Sequence, residues 1–232
     1  MADRCTAIVV AAGSGTRMGG KVKKQFLEVN GKPILAHTLL AFAASPIITD
    51  MIVVTGADLL EYVQKEIVDA FGIRKVTKIV PGGSERYESV YRGLLEAEGS
   101  DYVFIQDGVR PFVDDAMLQR GFEMARESGC AIAGVPSKDT VKIVDENGVV
   151  KDTPPRSGVW SVQTPQIFRY ELIREAYDKL QSADRTGITD DAMVMERMGR
   201  IPVRMFMGDY TNIKITTPED LDIAERFFAG RE

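Results

Sequence analysis

The residues near the start of the chain combine an apolar run, two glycines and a group of cations. Residues 7–12 are uninterruptedly apolar, which is typical of a strand buried on both faces of a parallel sheet. Gly13 and Gly15 follow, and because they lack a Cβ the backbone can turn sharply and direct its N–H groups at an anion. Four positive charges then fall within eight positions, on Arg17, Lys21, Lys23 and Lys24. This segment predicts a site for a triphosphate.

Two commoner glycine motifs fit this segment poorly. A dinucleotide fingerprint would need a third glycine where Met18 stands, and an acidic residue about twenty positions further on at a strand end. A P-loop would need a Ser or Thr hydroxyl for Mg²⁺ where Val22 stands. The structural alternative is a tight turn followed by a solvated basic surface.

Composition limits the classes of protein to which the chain can belong. With 232 residues, 44% of them apolar, it can bury a core, and its pattern continues without a linker, so we expect one domain over 1–232. The 34 acidic residues outnumber the 29 basic ones, which argues against a nucleic-acid or membrane-surface protein. No apolar run has the length of a membrane span, and the first residues do not resemble a signal peptide. We therefore expect a cytoplasmic protein.

The cysteines and the single histidine give little support to metal or nucleophile chemistry. Cys5 and Cys130 lack the spacing of a metal or redox site, so we expect buried, unpaired thiols in a reducing compartment. A zinc site or a Ser-His or Cys-His pair would have to use His37. His37 falls within a helical pattern that starts at Pro33, and a packed or surface position is the better prediction.

Alternating strand and helix patterns predict the fold. Strand-like runs occupy 51–55, 76–80, 102–106 and 131–135, and helical patterns occupy 33–44, 59–71, 85–96 and 115–127. Such alternation indicates parallel βαβ units in an α/β, three-layer, Rossmann-like sandwich with a mostly parallel sheet. Ligands bind at the carboxyl ends of the strands in such sheets. The segment 106–111 follows a later strand, so it should meet the glycine turn over one cleft.

Residues 137–157 interrupt this rhythm. The segments 140–144 and 149–153 alternate with period two around Asn147-Gly148, which is a strong turn signal. We predict a β-hairpin arm that projects from the main sheet. A lone hairpin is marginally stable in water, so a second subunit should cover it, unless it folds back on its own domain. A final helix should begin after Thr217, with Pro218 in its first turn and Asp220 at N3, and run to about Phe228.

Several motifs taken together carry a resemblance to a known family. They are AAGSGTRM at 11–18, KQF at 24–26, GGSER at 82–86 with Ser89, DGVRP at 107–111, RSGVW at 156–160, QTPQ at 163–166, TDD at 189–191 and TNIKIT at 211–216. Across nearly its whole length the chain resembles the 2-C-methyl-D-erythritol 4-phosphate cytidylyltransferases, which share a nucleotidyltransferase sandwich. The resemblance implies transfer of the cytidylyl group of CTP to methylerythritol phosphate, with release of pyrophosphate, in non-mevalonate isoprenoid biosynthesis by a homodimer.

The chemistry of that reaction calls for cations more than for acids and bases. The attacking phosphate oxygen is already an anion near neutral pH, so positioning and charge stabilisation must supply the rate. The resemblance makes Arg17 and Lys24 the stabilisers of the transition state, and it adds Arg156 and Lys214 to the catalytic set. It places CTP and its Mg²⁺ near Ala11, Ala12, Gly13, Ser14, Gly15, Gly83, Ser89, Asp107 and Gly108.

The resemblance also assigns the polyol site. Asp107 ends a strand and offers the hard oxygen ligands that Mg²⁺ prefers, although the family leaves open whether it holds metal or substrate hydroxyls; a turn aspartate is the structural alternative. Arg110 should contact the polyol or CTP. Methylerythritol phosphate would be bound by Thr140 and Arg156 from the partner's arm and by Thr164, Thr189 and Lys214 of the same chain. Lys214 is predicted to lie in a strand, because Ile213 and Ile215 flank it.

Two departures from the family pattern and three other functions remain open. Lys23 stands where the family usually has proline, and Gln106 where it usually has histidine; adjacency to Gln25 favours Lys24 over Lys23 as the catalytic lysine. A ribitol 5-phosphate cytidylyltransferase shares much of the motif set, but residues 11–12 and 156–160 favour the methylerythritol enzyme. A non-catalytic CTP-binding module and a phosphotransferase are the remaining alternatives.

Overall fold

The computed structural model describes residues 3–13, 23–199 and 201–230. Its strands are β1 (Cys5–Ala11), β2 (Glu28–Val29), β3 (Lys32–Pro33), β4 (Asp50–Thr55), β5 (Val76–Pro81), β6 (Tyr102–Asp107), β7 (Cys130–Pro136), β8 (Ile143–Val144), β9 (Val150–Asp152), β10 (Trp160–Arg169) and β11 (Met205–Met207). Its α-helices are α1 (Ile34–Ala44), α2 (Leu60–Tyr62), α3 (Arg86–Glu96), α4 (Asp115–Ser128), α5 (Tyr170–Leu180), α6 (Asp191–Met198) and α7 (Pro218–Ala229). Helix α2 continues as a π-helical segment, Val63–Asp69.

Seven strands form one central sheet in the order β11-β7-β10-β6-β1-β4-β5. Strand β1 runs parallel to β4 and β6, β4 runs parallel to β5, and β7 runs parallel to β11. Strand β10 is antiparallel to both of its neighbours. All residues of β4 and β6 are buried, as expected for strands covered on both faces. The prediction of a mostly parallel α/β sheet is confirmed.

Helices cover both faces of this sheet. Val9 of β1 belongs to a hydrophobic cluster with Leu39 of α1 and Leu118 of α4. The next residue towards the N-terminus, Ile8, belongs to a second cluster that includes Val90 of α3. Because side chains alternate along a strand, neighbouring residues of β1 face opposite helix layers. The three-layer sandwich is confirmed.

Parts of the sheet and several helices lie outside the predicted elements. Strands β10 and β11 and helices α5 and α6 fall between the predicted helix 115–127 and the C-terminal helix. Strand β10 contains a proline and several polar residues, and its register against β7 shifts between Val162 and Gln166. Proline and polar residues weaken a strand pattern, because proline cannot donate to the ladder. Helix α7 begins after the Thr217 cap, as predicted.

The arm leaves the sheet between β7 and β10. At its base the Ser137 N–H donates to the Val159 carbonyl over 2.9 Å. Strands β8 and β9 pair antiparallel as a separate two-stranded sheet, shorter than the predicted segments. Ile143, Val144 and Val150 are at least half exposed, so the described part of their own chain leaves much of these apolar side chains uncovered. None of the helices in the described ranges has the length and apolar character that crossing a bilayer requires.

Candidate functional site

The carboxyl ends of β1 and β6 bring the first two predicted segments together. The two strands pair in parallel, with Val10 beside Asp107. Buried Gln25 fixes the end of β1, because its amide donates to the Ala11 carbonyl over 2.7 Å and to the Gly13 carbonyl over 3.3 Å. The expected meeting of the glycine turn and the 106–111 segment at one edge of the sheet is confirmed for the described residues.

A first cavity opens at this edge. Its described lining comprises Val10, Ala11, Ala12, Gly13, Lys24, Gln25, Gly83, Ser84, Glu85, Arg86, Ser89, Asp107, Val109 and Lys214. Most of the residues predicted to bind CTP therefore share one cavity. Gly108 packs behind it, where its N–H donates to the Val10 carbonyl over 2.8 Å. The predicted residues Ser14, Gly15 and Arg17 lie outside the described residues.

The turn before α3 forms one wall of the first cavity. The Gly83 N–H donates to the Ser89 hydroxyl over 3.1 Å, and that hydroxyl donates to the Glu85 carbonyl over 3.2 Å. A Cβ on Gly83 would clash with Glu88, so the backbone approaches this helix more closely than another residue would allow. Glu85 is the N-cap of α3, in a capping box with Glu88. Ser89 is buried in the first turn of the helix and faces the cavity.

Asp107 lies at the centre of a cluster of cations. One oxygen is 3.2 Å from Arg86 Nε, and the other is 2.8 Å from Lys214 Nζ and 3.7 Å from Arg110 Nε. Burial alone would raise the pKa of this carboxyl, but the charges of Arg86, Lys214 and Arg110 outweigh burial and hold the pKa well below its usual range. Asp107 is therefore ionised at neutral pH. Its backbone N–H donates to Thr164 Oγ1 over 3.1 Å, which joins β6 to β10.

Arg86 is a site residue that the sequence prediction missed. It appeared only within the GGSER motif, with no role assigned. Its Nη2 is 2.8 Å from Oδ2 of Asp191, which is fully buried at the start of α6. Burial acts to lower the pKa of the guanidinium, but the charges of Asp191 and Asp107 raise it well above its usual value. An arginine at the first position of a helix, three residues after a Gly-Gly turn that follows a strand, was the available signal.

A second cavity lies on the other side of this cluster. Its described lining comprises Arg86, Asp107, Arg110, Val162, Gln163, Thr164, Gln166, Thr189, Asp190 and Lys214. It contains Arg110, Thr164, Thr189 and Lys214, which were predicted to bind the polyol substrate. Arg86, Asp107 and Lys214 line both cavities, and we call these three residues the shared wall.

The prediction that Lys214 lies in a strand is wrong. The segment around it belongs to no strand of the described chain, and it is held by individual bonds. The Ile215 N–H donates to the Val109 carbonyl over 3.0 Å, and the Asn212 amide donates to the Thr164 carbonyl over 2.8 Å. These bonds fix the segment on either side of Lys214, so that its ammonium group reaches Asp107.

The two arm residues of the predicted site lie apart from both cavities in the single chain. Thr140 and Arg156 are exposed, and neither belongs to either lining. Arg156 Nη1 donates to the Lys138 carbonyl over 3.3 Å, so it reaches across the base of the arm. This bond brings Arg156 to a backbone position two residues before Thr140.

The two departures from the family pattern have different positions. Lys23 turns towards Asp58, with 3.5 Å between ammonium and carboxylate, whereas Lys24 lines the first cavity. This geometry favours Lys24 as the catalytic lysine. Gln106 is fully buried beneath the site and donates to the Arg110 carbonyl over 3.0 Å. It belongs to neither lining, so it supports Arg110 from behind.

The histidine and the cysteines are structural. His37 Nε2 lies 2.7 Å from the Val29 carbonyl oxygen, and the centroids of the His37 and Phe228 rings are 4.2 Å apart. Burial raises the pKa of Cys5 and of Cys130 to about 12, and both thiols are unpaired. The predictions of a packed histidine and buried free thiols are confirmed.

Comparison with known proteins assigns the family. A model of the 2-C-methyl-D-erythritol 4-phosphate cytidylyltransferase family matches residues 5–229. A relative of that name from Lachnoclostridium phytofermentans is 48% identical over 223 residues, which are 96% of this chain and 95% of the relative. Another of the same name, from Geotalea uraniireducens, is 49% identical over 227 residues, with 97% and 96% covered.

Solved structures agree with the sequence relatives. The crystal structure of 4-diphosphocytidyl-2C-methyl-D-erythritol synthase from Anaerococcus prevotii matches with a TM-score of 0.85 and 32% identity, over 99% of this chain and 100% of that one. The 2-C-methyl-D-erythritol 4-phosphate cytidylyltransferase of Francisella tularensis matches with a TM-score of 0.78 and 30% identity, over 96% and 99%. Sequence and fold agree along nearly the full length, and the chain therefore belongs to the 2-C-methyl-D-erythritol 4-phosphate cytidylyltransferase family.

Proposed function

We propose that this chain transfers the cytidylyl group of CTP to 2-C-methyl-D-erythritol 4-phosphate, giving 4-diphosphocytidyl-2-C-methyl-D-erythritol and pyrophosphate. The observation that carries the proposal is the pair of adjacent cavities with a shared wall. Two anionic substrates must meet in this reaction, one in each cavity. The wall between them carries two cations, Arg86 and Lys214, and one carboxylate. The names of the family and of the relatives supply the substrates.

Charge neutralisation is the main task of the site. The attacking oxygen belongs to a phosphate that is already ionised, so the reaction needs little proton transfer. None of the described residues that line the cavities is a histidine or a cysteine. The cations instead lower the repulsion between the attacking phosphate and the α-phosphate of CTP. Lys24 faces the first cavity, Arg110 the second, and Lys214 both.

The catalytic roles follow from these positions and from the family motif. Lys24 supplies a compact positive charge in the first cavity. Arg17, from the glycine-turn segment, would supply a planar guanidinium that can bind two phosphate oxygens. Lys214 lies between the cavities, where charge develops as the new phosphate bond forms. Arg156 would add a further positive charge from the arm. These four residues form the proposed catalytic set.

CTP would occupy the first cavity. The backbone of Ala11, Ala12 and Gly13 and the close approach at Gly83 leave room for the nucleoside. Ser14 and Gly15, which lie outside the described residues, are proposed to bind the triphosphate. Gly108 supports the end of β1 from behind. Ser89 would offer its hydroxyl oxygen as an acceptor, because that hydroxyl already donates to the Glu85 carbonyl.

Asp107 is the proposed protein ligand of Mg²⁺. Within the described ranges there is no group of three or more His, Cys, Asp or Glu side chains arranged to hold a metal ion. The ionised carboxylate of Asp107 suits Mg²⁺ nonetheless, because this ion commonly takes one or two carboxylates together with substrate phosphates and water. When bound, the ion would neutralise triphosphate charge and help to orient it. Asp107 would otherwise accept from substrate hydroxyls.

The polyol phosphate would occupy the second cavity, with help from a partner subunit. Arg110, Thr164 and Thr189 line this cavity from one chain. We propose that the chain is a homodimer in which Thr140 and Arg156 of the arm (137–157) complete the cavity of the other subunit. The exposed apolar side chains of β8 and β9 support this, because a two-stranded sheet that is open to water is marginal on its own. The two unpaired thiols fit a cytoplasmic location.

The test is pyrophosphate release in the presence of Mg²⁺. CTP is offered with methylerythritol phosphate and, in parallel, with ribitol 5-phosphate, while ATP, GTP and UTP serve as nucleotide controls. We expect release only with CTP and methylerythritol phosphate. Preference for ribitol 5-phosphate would refute the substrate assignment, and CTP binding without release in any combination would refute enzymatic function.

Variants of the glycine-turn segment test the proposed roles. Arg17→Ala and Lys24→Ala should each lower kcat by about 10²–10³, as loss of one preorganised charge donor does elsewhere. Lys23→Ala is the matched control, because the neighbouring lysine turns to Asp58 and should be dispensable. Near-normal turnover in folded Arg17→Ala and Lys24→Ala would refute these roles.

A further inference from the structure

A series of buried side-chain contacts connects the protein core to the shared wall. The Tyr177 hydroxyl of α5 donates to Asp191 Oδ1 over 2.6 Å. Asp191 Oδ2 accepts from Arg86 Nη2 over 2.8 Å, and Arg86 Nε reaches Asp107 over 3.2 Å. Tyr177 and Asp191 are completely buried, and neither lines a cavity. Of these four residues, only Arg86 and Asp107 line the cavities proposed to hold the substrates.

The start of α6 is fixed to β10, so Asp191 has a defined position. Gln166 of β10 accepts from the Ala192 N–H and donates to Asp190 Oδ2, both over 2.9 Å. Asp190 Oδ1 also caps the helix, because it accepts from the Met193 N–H over 2.9 Å. These bonds hold the Asp191 backbone independently of its own side chain.

Burial of the Asp191 carboxylate costs free energy, so its presence points to a role other than stabilising the fold. A buried ion pair rarely stabilises a fold more than apolar residues of similar volume do, whereas removal of one partner leaves an uncompensated charge. Burial and the neighbouring Asp191 charge raise the pKa of Tyr177 well above its usual value, so the hydroxyl keeps its proton and donates. The arrangement orients one guanidinium at the cost of burying one carboxylate.

We propose that Asp191 is a positioning residue that holds Arg86 in the shared wall, with Tyr177 as its second support. Two nitrogen atoms of Arg86 are bound by carboxylates from different elements, which fixes the plane of the guanidinium. The charge of Arg86 then lies where the two anionic substrates meet. Interactions that strengthen in the transition state act on kcat more than on KM. This inference rests on the proposed cytidylyl transfer.

A double-mutant cycle between Asp191 and Arg86 tests the kinetic part. Asp191→Asn keeps the shape and should lower kcat about tenfold while it changes either KM less than threefold. In an Arg86→Gln background the same substitution should change kcat less than twofold, because its effect acts through Arg86. Equal losses of kcat in both backgrounds, or no loss in either, would overturn the proposal.

Two further variants separate positioning from stability. Ile173→Val removes one methylene from α5, in the same hydrophobic cluster as Tyr177, and should lower the melting temperature without a change in kcat. Tyr177→Phe keeps the Asp191 carboxylate and its bond to Arg86, and should lower kcat two- to threefold, again only where Arg86 is present. If Asp191→Asn does not fold, the Tyr177→Phe cycle decides: a kcat loss that persists in Arg86→Gln would overturn the proposal.

An NMR readout tests the positioning without any turnover. The Arg86 Nε–H resonance, assigned through Arg86→Lys, should exchange slowly with water in the wild type and in Ile173→Val. It should exchange at least tenfold faster in Asp191→Asn, and unchanged exchange there would overturn the proposal. A wild type without pyrophosphate release but with these exchange rates would refute the proposed function and support the positioning of Arg86.

Discussion

The charge of the shared wall depends on how the buried carboxylate of Asp107 is neutralised. Asp107 has cations within 4 Å that come from α3, from the loop after β6 and from the segment before α7. An exposed pair such as Lys65–Glu61, at 2.6 Å, contributes little, because water screens it and both side chains lose freedom. The pairs at Asp107 are screened far less, since the carboxylate is buried. The balance of charge in the shared wall is therefore sensitive to single substitutions.

Lys214 can be tested against a lysine that is ion-paired elsewhere. Lys214→Gln should lower kcat/KM by about 10²–10³, because a charge beside both cavities is lost. Lys78→Gln is the matched control: Lys78, on the exposed face of β5, bonds Glu96 over 2.8 Å and lines neither cavity, so its loss should leave turnover near normal. Equal kinetic losses in the two variants, measured by pyrophosphate release, would contradict the role given to Lys214.

The lowered pKa of Asp107 predicts a pH dependence of stability. A carboxyl with a folded-state pKa below its ordinary value of 3.8 stabilises the fold above that value, and this contribution is lost as the pH falls towards the folded-state pKa. Asp107→Asn should therefore be destabilised most at neutral pH, and the difference from wild type should shrink below about pH 4. Urea unfolding from pH 7 to pH 3 measures this, and a constant difference would contradict the prediction.

Helix α3 is the element that delivers Arg86 and Ser89 to the cavities. Its apolar face packs against β1 and β4. Gly93 lets the helix approach these strands closely. A Cβ at Gly93 would clash with Ile8 and would lie 3.2 Å from Val54 Cγ2. The helix begins with a capping box and no proline. The distance between helix and sheet, set by one glycine, determines where the first residues of α3 lie.

Gly93→Ala separates packing from helix propensity. Alanine favours an isolated helix over glycine by about 1 kcal/mol, yet here we expect a net destabilisation of roughly 1–3 kcal/mol, because the added methyl overpacks against β1. Leu95→Ala is the control in the same helix: Leu95 is exposed, so its loss should change stability by less than about 0.5 kcal/mol. Increased stability of Gly93→Ala in urea unfolding would contradict the close packing.

At the level of the molecule, the position of the arm determines whether a site is complete in one chain. Thr140 and Arg156 are exposed and lie outside both cavity linings. The apolar residues of the arm face water in the single chain. A second copy related by twofold symmetry would cover both arms at once, because the same surface is used on each subunit. One interface would then serve both stability and substrate binding.

Mixed dimers test this arrangement. Arg156→Ala and Lys24→Ala are each expected to be inactive, but a heterodimer of the two has one site with Lys24 and an intact partner arm. A random mixture should recover about a quarter of wild-type activity, because half of the dimers carry one good site. As a control, heterodimers of wild type with the Lys24→Ala/Arg156→Ala double variant should be inactive. No recovery in verified heterodimers, with activity in the control, would show that each site is complete within one chain.

The apolar runs of the sequence determined the parallel strands, and the glycines together with Lys24 indicated one end of the first cavity. Strands such as β4 and β6 are buried on both faces, so burial leaves a continuous apolar run that is visible without a structure. The glycine-rich turn and Lys24 were visible for a similar reason, because phosphate sites need close backbone approach and nearby charge. The arm was visible through its alternation and its Asn-Gly turn.

Only the tertiary structure decided the shared wall and its supports. Strand β10 is antiparallel, contains proline and mixes polar with apolar residues, so its pattern resembled a loop. Lys214 lies outside any strand, because single hydrogen bonds and not a sheet ladder position it. The Arg86–Asp191 pair joins residues 105 positions apart. No local pattern encodes such a pair, because its energy comes from the shared burial of two charges that folding alone brings together.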